Sequence, residues 1–289
     1  MSKDVRVKVR FFAPPADLEP CFSILYRMEV DLPEGALVTD YLHPEWANLR
    51  FFVRNPPQAE IVDGTAVLGK RFQATGPSAH PTRFHIGATR MWGIGLLPLG
   101  WARFVGVPAV DLANTASDGE TTAAFAPFAP LCDVLCSDRA DDEGQFRALV
   151  AFFRGLADQP QDYERILKIQ EVMVDPCLVQ VEEFAARVGF SKRTLERLCN
   201  RHFGFSPRVL LRRQRMMRTL TAYMLEGGSW TSVIDRHYHD QAHFVHEFHA
   251  FMGMSPTEYA AQEHPILRAF MIERRRVWGI PAQGLRRQK

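Results

Sequence analysis

Apolar positions recur along the chain with two different periods. In the N-terminal third the period is two. Val5, Val7, Val9 and Phe11 alternate with Arg6, Lys8 and Arg10, which predicts a half-buried strand over residues 1–12, broken by Pro14 and Pro15. Further strands are expected at residues 21–30, 49–53, 61–68, 82–86 and 90–97, separated by Pro, Gly and Asn-Pro-Pro clusters. Many short strands with frequent turns suggest a compact β-rich barrel or sandwich. Trp101, Phe104 and Val105 mark a short helix ending near Gly106, and a second short element follows Pro108. Residues 117–122 are polar and read as a loop. From Phe125 to Asp158 the pattern turns helical, with Asp141, Asp142 and Glu143 favourably placed at a helix start. Phe146, Leu149, Val150, Phe153 and Leu156 form an apolar stripe that fits a dimer contact or packing on the β domain equally well.

Beyond Asp158-Gln159-Pro160, which marks a domain boundary, the period is helical throughout. Residues 161–174 form a leading helix with Ile166, Ile169, Val172 and Met173 inward. Val181, Phe184, Ala185 and Val188 recur at i, i+3, i+4 and i+7. Gly189 ends that helix and Ser191 caps the next, on which Leu195 and Leu198 face inward while Lys192, Arg193, Arg197 and Arg201 lie elsewhere. Two short helices joined by a tight turn, the second of them basic, are a helix-turn-helix. The unit is then repeated. Leu195 falls on Phe244, Cys199 on Phe248, Gly204 on Gly253, Ser206 on Ser255 and Pro207 on Pro256, all at an offset of 49 (253 − 204). In the second unit Val233 and Ile234 begin the inward face and Asp240 caps. Each unit closes on Ser-Pro, and Ser255 with Glu258 forms a capping box.

Between the units runs a helical pattern over residues 207–225. At 1.5 Å per residue it is about 28 Å long, close to one turn of B-DNA at about 34 Å. A rigid rod of that length can hold two recognition helices near successive major grooves on one face of a duplex. After Pro265 the tail is helical and then basic, with Arg274, Arg275, Arg276, Arg286 and Arg287.

Composition adds an asymmetry. The chain of 289 residues has 46% hydrophobic and 24% charged residues, and its net charge is +2. Residues 1–158 carry 15 Lys+Arg against 19 Asp+Glu, or −4, while residues 159–289 carry 20 against 14, or +6. An acidic half joined to a basic half fits a sensing or assembly domain attached to a nucleic-acid binder. There is no apolar run of about 18 residues and no signal-peptide core, so a cytoplasmic protein is expected. Five scattered cysteines argue for reduced thiols, Cys132 and Cys136 included. His237, His239, His243, His246 and His249 invite a zinc reading, but the apolar face of Phe244 and Phe248 already explains their helix, and neither a metal nor a cofactor is expected. His80 and His85 do not supply the clustered ligands of a metal-dependent barrel enzyme, and Cys21 alone cannot supply a zinc cysteine set. No nucleophile elbow, phosphate loop or dinucleotide fingerprint stands in the right context, so the chain is not expected to be an enzyme.

Residues 163–261 resemble the DNA-binding domain of AraC/XylS-type bacterial transcription regulators. The most specific stretch is Asp240-Gln-Ala-His-Phe244, Phe248, Gly253-Met-Ser-Pro256 and Tyr259, and the first unit adds Ala185, Gly189-Phe-Ser191, Leu195 and Arg197. The sequence departs from the usual pattern in having His237-Tyr238 where Gly-Phe is common, His246 where Arg is common, and Ala260 where a basic residue often stands. Residues 93–108, with Gly93, Gly95, Pro98, Gly100 and Pro108, resemble a motif of many N-terminal domains in the same family. The implied architecture is α+β in two domains: a β-rich barrel or sandwich-like sensing and dimerisation domain over residues 1–158, helical from about 125, and an all-α domain over 159–289. The latter holds two helix-turn-helix units, at about 181–203 and 229–252, joined by a long helix.

The resemblance implies a sequence-specific regulator, an activator more than a repressor, with promoter DNA and RNA polymerase as partners. Family positions place Arg193, Glu196 and Arg197 toward base edges in the first unit, where Arg pairs with guanine and Glu accepts from cytosine. A surface ion pair with Lys192 or Arg193 is an equal reading for Glu196. In the second unit Gln241, Ala242, His243 and His246 match the base-facing positions. Lys192, Arg201, Arg208 and Arg212 suit phosphates. Arg215 falls on the buried side of the linking helix and reads as structural. Trp92 and Trp101 are weak candidates for the lining of an effector pocket, plain core being the more ordinary role. A small-molecule effector and a homodimer through the N-terminal domain are expected partners. The competing readings are a DNA-binding protein whose N-terminal domain only dimerises or holds a partner, and an N-terminal enzyme tethered to DNA.

Overall fold

The computed structural model describes residues 5–137, 141–156 and 159–279. Ten strands among the described residues form two antiparallel sheets. β1 (Arg6–Phe11), β2 (Phe22–Asp31), β4 (Asn48–Phe52), β7 (Phe72–Thr75), β9 (Thr89–Leu96) and β10 (Ala116–Asp118) make a six-stranded sheet in the order β1-β2-β9-β4-β7-β10. β3 (Val38–Leu42), β5 (Gln58–Ile61), β6 (Ala66–Leu68) and β8 (Thr82–Ile86) make a four-stranded sheet in the order β3-β8-β5-β6. The side chains of Ile24, Tyr26, Met28, Val30, Phe84 and Ile86 fill the space between the sheets. The other face of the larger sheet, with Leu25, Leu49, Phe51, Trp92 and Ile94, is covered by helical segments. Both faces of β4 are buried, its polar Asn48 and Arg50 included, and β9 is buried over Met91–Leu96.

Several elements differ from the sequence reading. Residues 61–68 are not one strand. Asp63 (φ +55°) and Gly64 turn the chain, so that β5 and β6 pair with each other. β3, β7 and β10 were not legible. β7 is too short to show a period, β10 lies in the polar stretch read as a loop, and β3 carries a fully buried Asp40. Helical turns occupy Pro98–Gly100, Trp101–Val105, Ala109–Leu112, Ala126–Leu131 and Cys132–Leu135. Helix α1 (Asp142–Arg154) is capped by the Asp141 carboxylate, which accepts from the Gly144 N–H. Its apolar stripe packs within the chain, with the Phe153 ring 5.0 Å from Phe22 and 4.9 Å from Phe104. Leu156 stands at the edge of the same cluster. Residues 157 and 158, at the expected domain boundary, lie outside the described residues, as does the basic pair Arg286 and Arg287.

The C-terminal region is all helical: α2 (Tyr163–Met173), α3 (Val181–Val188), α4 (Lys192–Phe203), α5 (Pro207–Glu226), α6 (Trp230–Val233), α7 (Gln241–Met252), α8 (Pro256–Ala260) and α9 (Pro265–Trp278). It is held to the sandwich at defined points. Asp40 Oδ2 accepts the N–H groups of Ile266 (2.8 Å) and Leu267 (2.9 Å) at the start of α9, and His264 Nδ1 donates to Asp40 Oδ1 at 3.0 Å. This carboxylate meets the orphan donors of a helix 226 residues further along the chain. His43 Nε2 and the Tyr259 hydroxyl lie 2.6 Å apart. Burial first, and the neighbouring His264 second, lower the His43 pKa to about 3, so the ring is neutral. Arg213 of α5 lies fully buried, its guanidinium 4.3 Å over the Trp46 ring, and burial lowers its pKa to about 10. The two repeat glycines, Gly204 and Gly253, end α4 and α7 at φ +83° and +68°. Both also press on the sandwich: a Cβ at Gly204 would stand 2.5 Å from Pro77, and one at Gly253 2.7 Å from Val62.

Candidate nucleic-acid interface

The interface is built from two matched helices on one rod. α5 has 20 residues, which gives about 30 Å at 1.5 Å per residue. Its start is capped by Ser206, whose hydroxyl accepts from the Val209 N–H, with Pro207 where no donor is needed. α4 precedes it, capped by Ser191. α7 follows it, capped by Asp240, whose Oδ1 accepts from the His243 N–H at 2.7 Å. α8 carries the capping box of Ser255 and Glu258. Each of these starts was readable from the residues.

On α4 the exposed positions are Lys192, Arg193, Glu196, Arg197 and Arg201, a single outward face. The inward face, with Leu195, Leu198, Cys199 and Phe203, is fully buried. Lys192 pairs with Glu182 of α3 rather than with Glu196. Arg208, in the first turn of α5, is exposed beside this face. Asp162 receives His202 Nε2 at 3.2 Å behind it. The His202 pKa is lowered, because burial outweighs the help of that carboxylate.

On α7 the exposed positions are Gln241, Ala242, Val245, His246, His249 and Ala250. They line one shallow concave face. The offset of 49 carries Arg193 onto Ala242, Glu196 onto Val245 and Arg197 onto His246. Two sequence expectations therefore change. Val245 belongs to the outward face and was missed, although the offset from Glu196 points to it. His243 does not stand squarely on that face. It is half-buried, with Nε2 3.7 Å from Glu247 Oε2 and its ring 5.4 Å from that of Tyr238.

Arg212, expected at a phosphate, is also placed differently. Its Nε donates to Glu247 Oε2 at 3.0 Å, and its side chain is 35% exposed. Arg215, read as structural, lies deeper and donates to both carboxylate oxygens of Glu247 (2.9 and 2.7 Å) and to the His237 carbonyl (3.1 Å). The Tyr238 hydroxyl donates to the same carboxylate at 3.1 Å. Burial, and then the Glu247 charge, push the Tyr238 pKa up. Nearby, Arg218 Nε donates to Asp235 Oδ2 at 2.6 Å, and the Asp235 backbone N–H donates to Thr219 Oγ1 at 3.1 Å. Burial raises the Asp235 pKa, but Arg218 and the His237 N–H outweigh it and the net shift is downward. These bonds pin an irregular segment. The first helix of this unit is a single turn, α6, and the inward face expected from Val233 and Ile234 ends with it.

The aromatic candidates lie elsewhere. Trp92 is fully buried against the helical layer, with Nε1 donating to Gln145 Oε1 at 2.8 Å. Trp101 is buried and donates to the Val107 carbonyl at 2.7 Å, beside a void of only about 10 Å³. A larger cavity, about 80 Å³, opens between the two sheets, α5 and α9, and neither tryptophan lines it. Its lining includes Ile24, Met28, Phe84, Met217 and Phe270 and the charged residues Glu45, Arg50 and Arg274. Arg50 and Glu45 form a buried ion pair. Burial would lower the Arg50 pKa, but Glu45 and Tyr26 raise it on balance.

A family model described as a helix-turn-helix domain matches residues 184–262. No curated protein matches the chain. Among solved structures, ToxT from Vibrio cholerae O395 bound to (E)-4-(8-methylnaphthalen-1-yl)but-3-enoic acid is similar over 89% of this chain and 98% of its own, at 11% identity and a TM-score of 0.45. Unsaturated fatty acid bound wild-type ToxT from Vibrio cholerae strain SCE256 is similar over 89% and 95%, at 9% identity and a TM-score of 0.40. The AraC-like transcriptional activator CuxR is similar over 79% and 90%, at 14% identity and a TM-score of 0.25. The chain is a DNA-binding protein by virtue of that matched domain. It carries an AraC-type helix-turn-helix domain at its C-terminus, behind a β-rich N-terminal region. No helix among the described residues is long and apolar enough to cross a membrane.

Proposed function

We propose that one chain reads two successive major-groove elements of promoter DNA, and that the sandwich couples this reading to a small molecule. The observation that carries the first part is the pair of outward faces on α4 and α7, matched at one offset and mounted on a single helix of 20 residues. Arg193, Glu196 and Arg197 read the first element. Gln241, Ala242, Val245 and His246 read the second, and Lys192, Arg201 and Arg208 hold phosphates. The resemblance to AraC/XylS regulators favours activation, with RNA polymerase as the partner. Selection from a randomised duplex library by the full chain, at a stated salt concentration, tests this. Two enriched elements about one helical turn apart are expected. Enrichment of a single element, or of none, overturns it.

The cavity between the sandwich, α5 and α9 supports the second part. Its mostly apolar lining with a few charged side chains suits an apolar molecule that carries a polar group. At about 80 Å³ it is far smaller than ligand pockets of roughly 300–1,000 Å³. A ligand of that size would have to part α9 from the sandwich. α5, which carries both units, forms another wall, so an occupant acts directly on the rod. Thermal melts with a panel of such molecules test this, since a ligand of the native state raises the melting temperature. A molecule that both raises it and changes DNA affinity is expected. A panel that moves neither overturns the sensing role.

A further inference from the structure

The two units differ at one buried position. Leu198 of α4 is fully buried, and at the offset of 49 its counterpart on α7 is Glu247, which is only 2% exposed. A carboxylate thus stands where the first unit has an apolar side chain. Taking it out of water is costly unless it is fully bonded. It is met from one side by the linking helix, through Arg215 (2.7 and 2.9 Å) and Arg212 (3.0 Å), and from the other by the turn, through Tyr238 (3.1 Å). The Arg215 guanidinium also stacks 4.5 Å over the Tyr238 ring and reaches the His237 carbonyl. Apolar packing tolerates sliding and rotation. A two-oxygen bond to a planar guanidinium fixes both distance and angle.

We propose that Glu247 is a positioning residue that sets the pitch of the second recognition helix against the linking helix, and through it the spacing of the two DNA elements. The first unit achieves its pitch with Leu198, packed in a helix pair of 8 and 12 residues. The second has only a four-residue turn in place of the first helix, which offers α7 less surface than the first unit's helix offers α4. The ion cluster replaces that missing surface.

The proposal rests on the two-element reading, and its test separates the two. Full-length wild type and Glu247→Gln are titrated with three sets of duplexes: both elements at the selected spacing, the second element scrambled, and the spacing changed by one or two base pairs. Melting curves confirm that the variant is folded, and Glu247→Asp serves as a second variant if it is not. The expected result is that Glu247→Gln loses about tenfold of the affinity gained from the second element and responds less sharply to spacing. Its affinity for the first element alone should stay within about twofold of wild type. If the variant keeps the gain and the spacing optimum, or loses affinity for both elements alike, the positioning role is overturned. If wild type itself gains nothing from the second element, the two-element reading fails, and that outcome is visible without any variant.

Discussion

The two helix-turn-helix units share one plan and are held together by different forces. In the first, two regular helices bury Phe184, Val188, Leu195 and Leu198 against each other, and the charges stay outside. In the second, the first helix is one turn long, and Glu247, Arg215, Arg218, Asp235 and Tyr238 form a bonded cluster between α7 and the rod. Aromatic rings complete it: Trp230 stacks on Tyr223 at 3.7 Å and meets Phe248 at 5.1 Å. A repeat thus conserves where its helices start and end, through Ser191 and Asp240 and through Gly204 and Gly253, while leaving the glue open to change. Packing gives stability per area buried, whereas bonded charges give orientation at little net stability.

The contrast can be broken by exchange. Leu198→Glu puts a carboxylate into the first unit without guanidinium partners. It should destabilise the chain by about 3–5 kcal/mol in urea denaturation, the cost of an uncompensated buried charge. The same residue type is native at 247, so a small loss would show that the first unit's interior is wetter than its burial implies. Next in size, Arg215→Met leaves Glu247 with Arg212 and Tyr238 and should cost about 2–3 kcal/mol. The double variant Glu247→Leu/Arg215→Met should return to within about 1 kcal/mol of wild type. Failure of the double variant to recover would mean that the cluster stabilises the fold outright.

On DNA, Arg197→Ala should cost about 1–3 kcal/mol on the preferred site and relax base preference there. Its counterpart His246→Ala should cost less, both measured by titration at one fixed salt concentration. Equal losses on every sequence would mark Arg197 as a phosphate contact.

How the sandwich grips the second unit shows in the dependence of stability on pH. Folded His43 refuses a proton that the unfolded chain takes up near its ordinary value of 6.5, since its pKa is lowered to about 3. Stability is therefore complete above pH 6.5 and falls as the pH drops toward 3, with a limiting slope of about 1.4 kcal/mol per pH unit. His202, also lowered, adds a loss of the same sign from the first unit. Asp162 and Asp235, both lowered, lose their contributions only at lower pH, from about their ordinary value of 3.8 downward. Denaturation curves at pH 7 and 5.5 should show a shallower loss in His43→Gln than in wild type.

What the residues disclosed and what they hid follow a physical line. Caps, turns and apolar stripes depend on neighbours within a few positions, so Ser191, Gly204, Ser255 and the strand at 82–86 stood out. The outward face of α7 was legible in principle, because Val245 sits 49 beyond Glu196. Reading family positions instead placed His243 there. Glu247 was hidden because a buried charge makes sense only beside Arg215, 32 residues away on another helix. Arg212, a plausible phosphate ligand by exposure and charge, was claimed by the same carboxylate. Trp92 and Trp101 looked like pocket aromatics, yet each spends its N–H inside the core on Gln145 or Val107. Asp40 was the least legible of all, since its role is defined by a helix at the other end of the sequence.

That distance has a meaning for how the chain is made. A ribosome releases the cap long before the helix it serves, so the sandwich can close and present the Asp40 carboxylate before Ile266 and Leu267 emerge. α9 is the last described element to appear, and its first turn is completed only by an acceptor already in place. Chains that lose Asp40 should therefore finish synthesis with a frayed last helix and an uncovered cavity wall, a state exposed to proteases although every residue of α9 itself is intact.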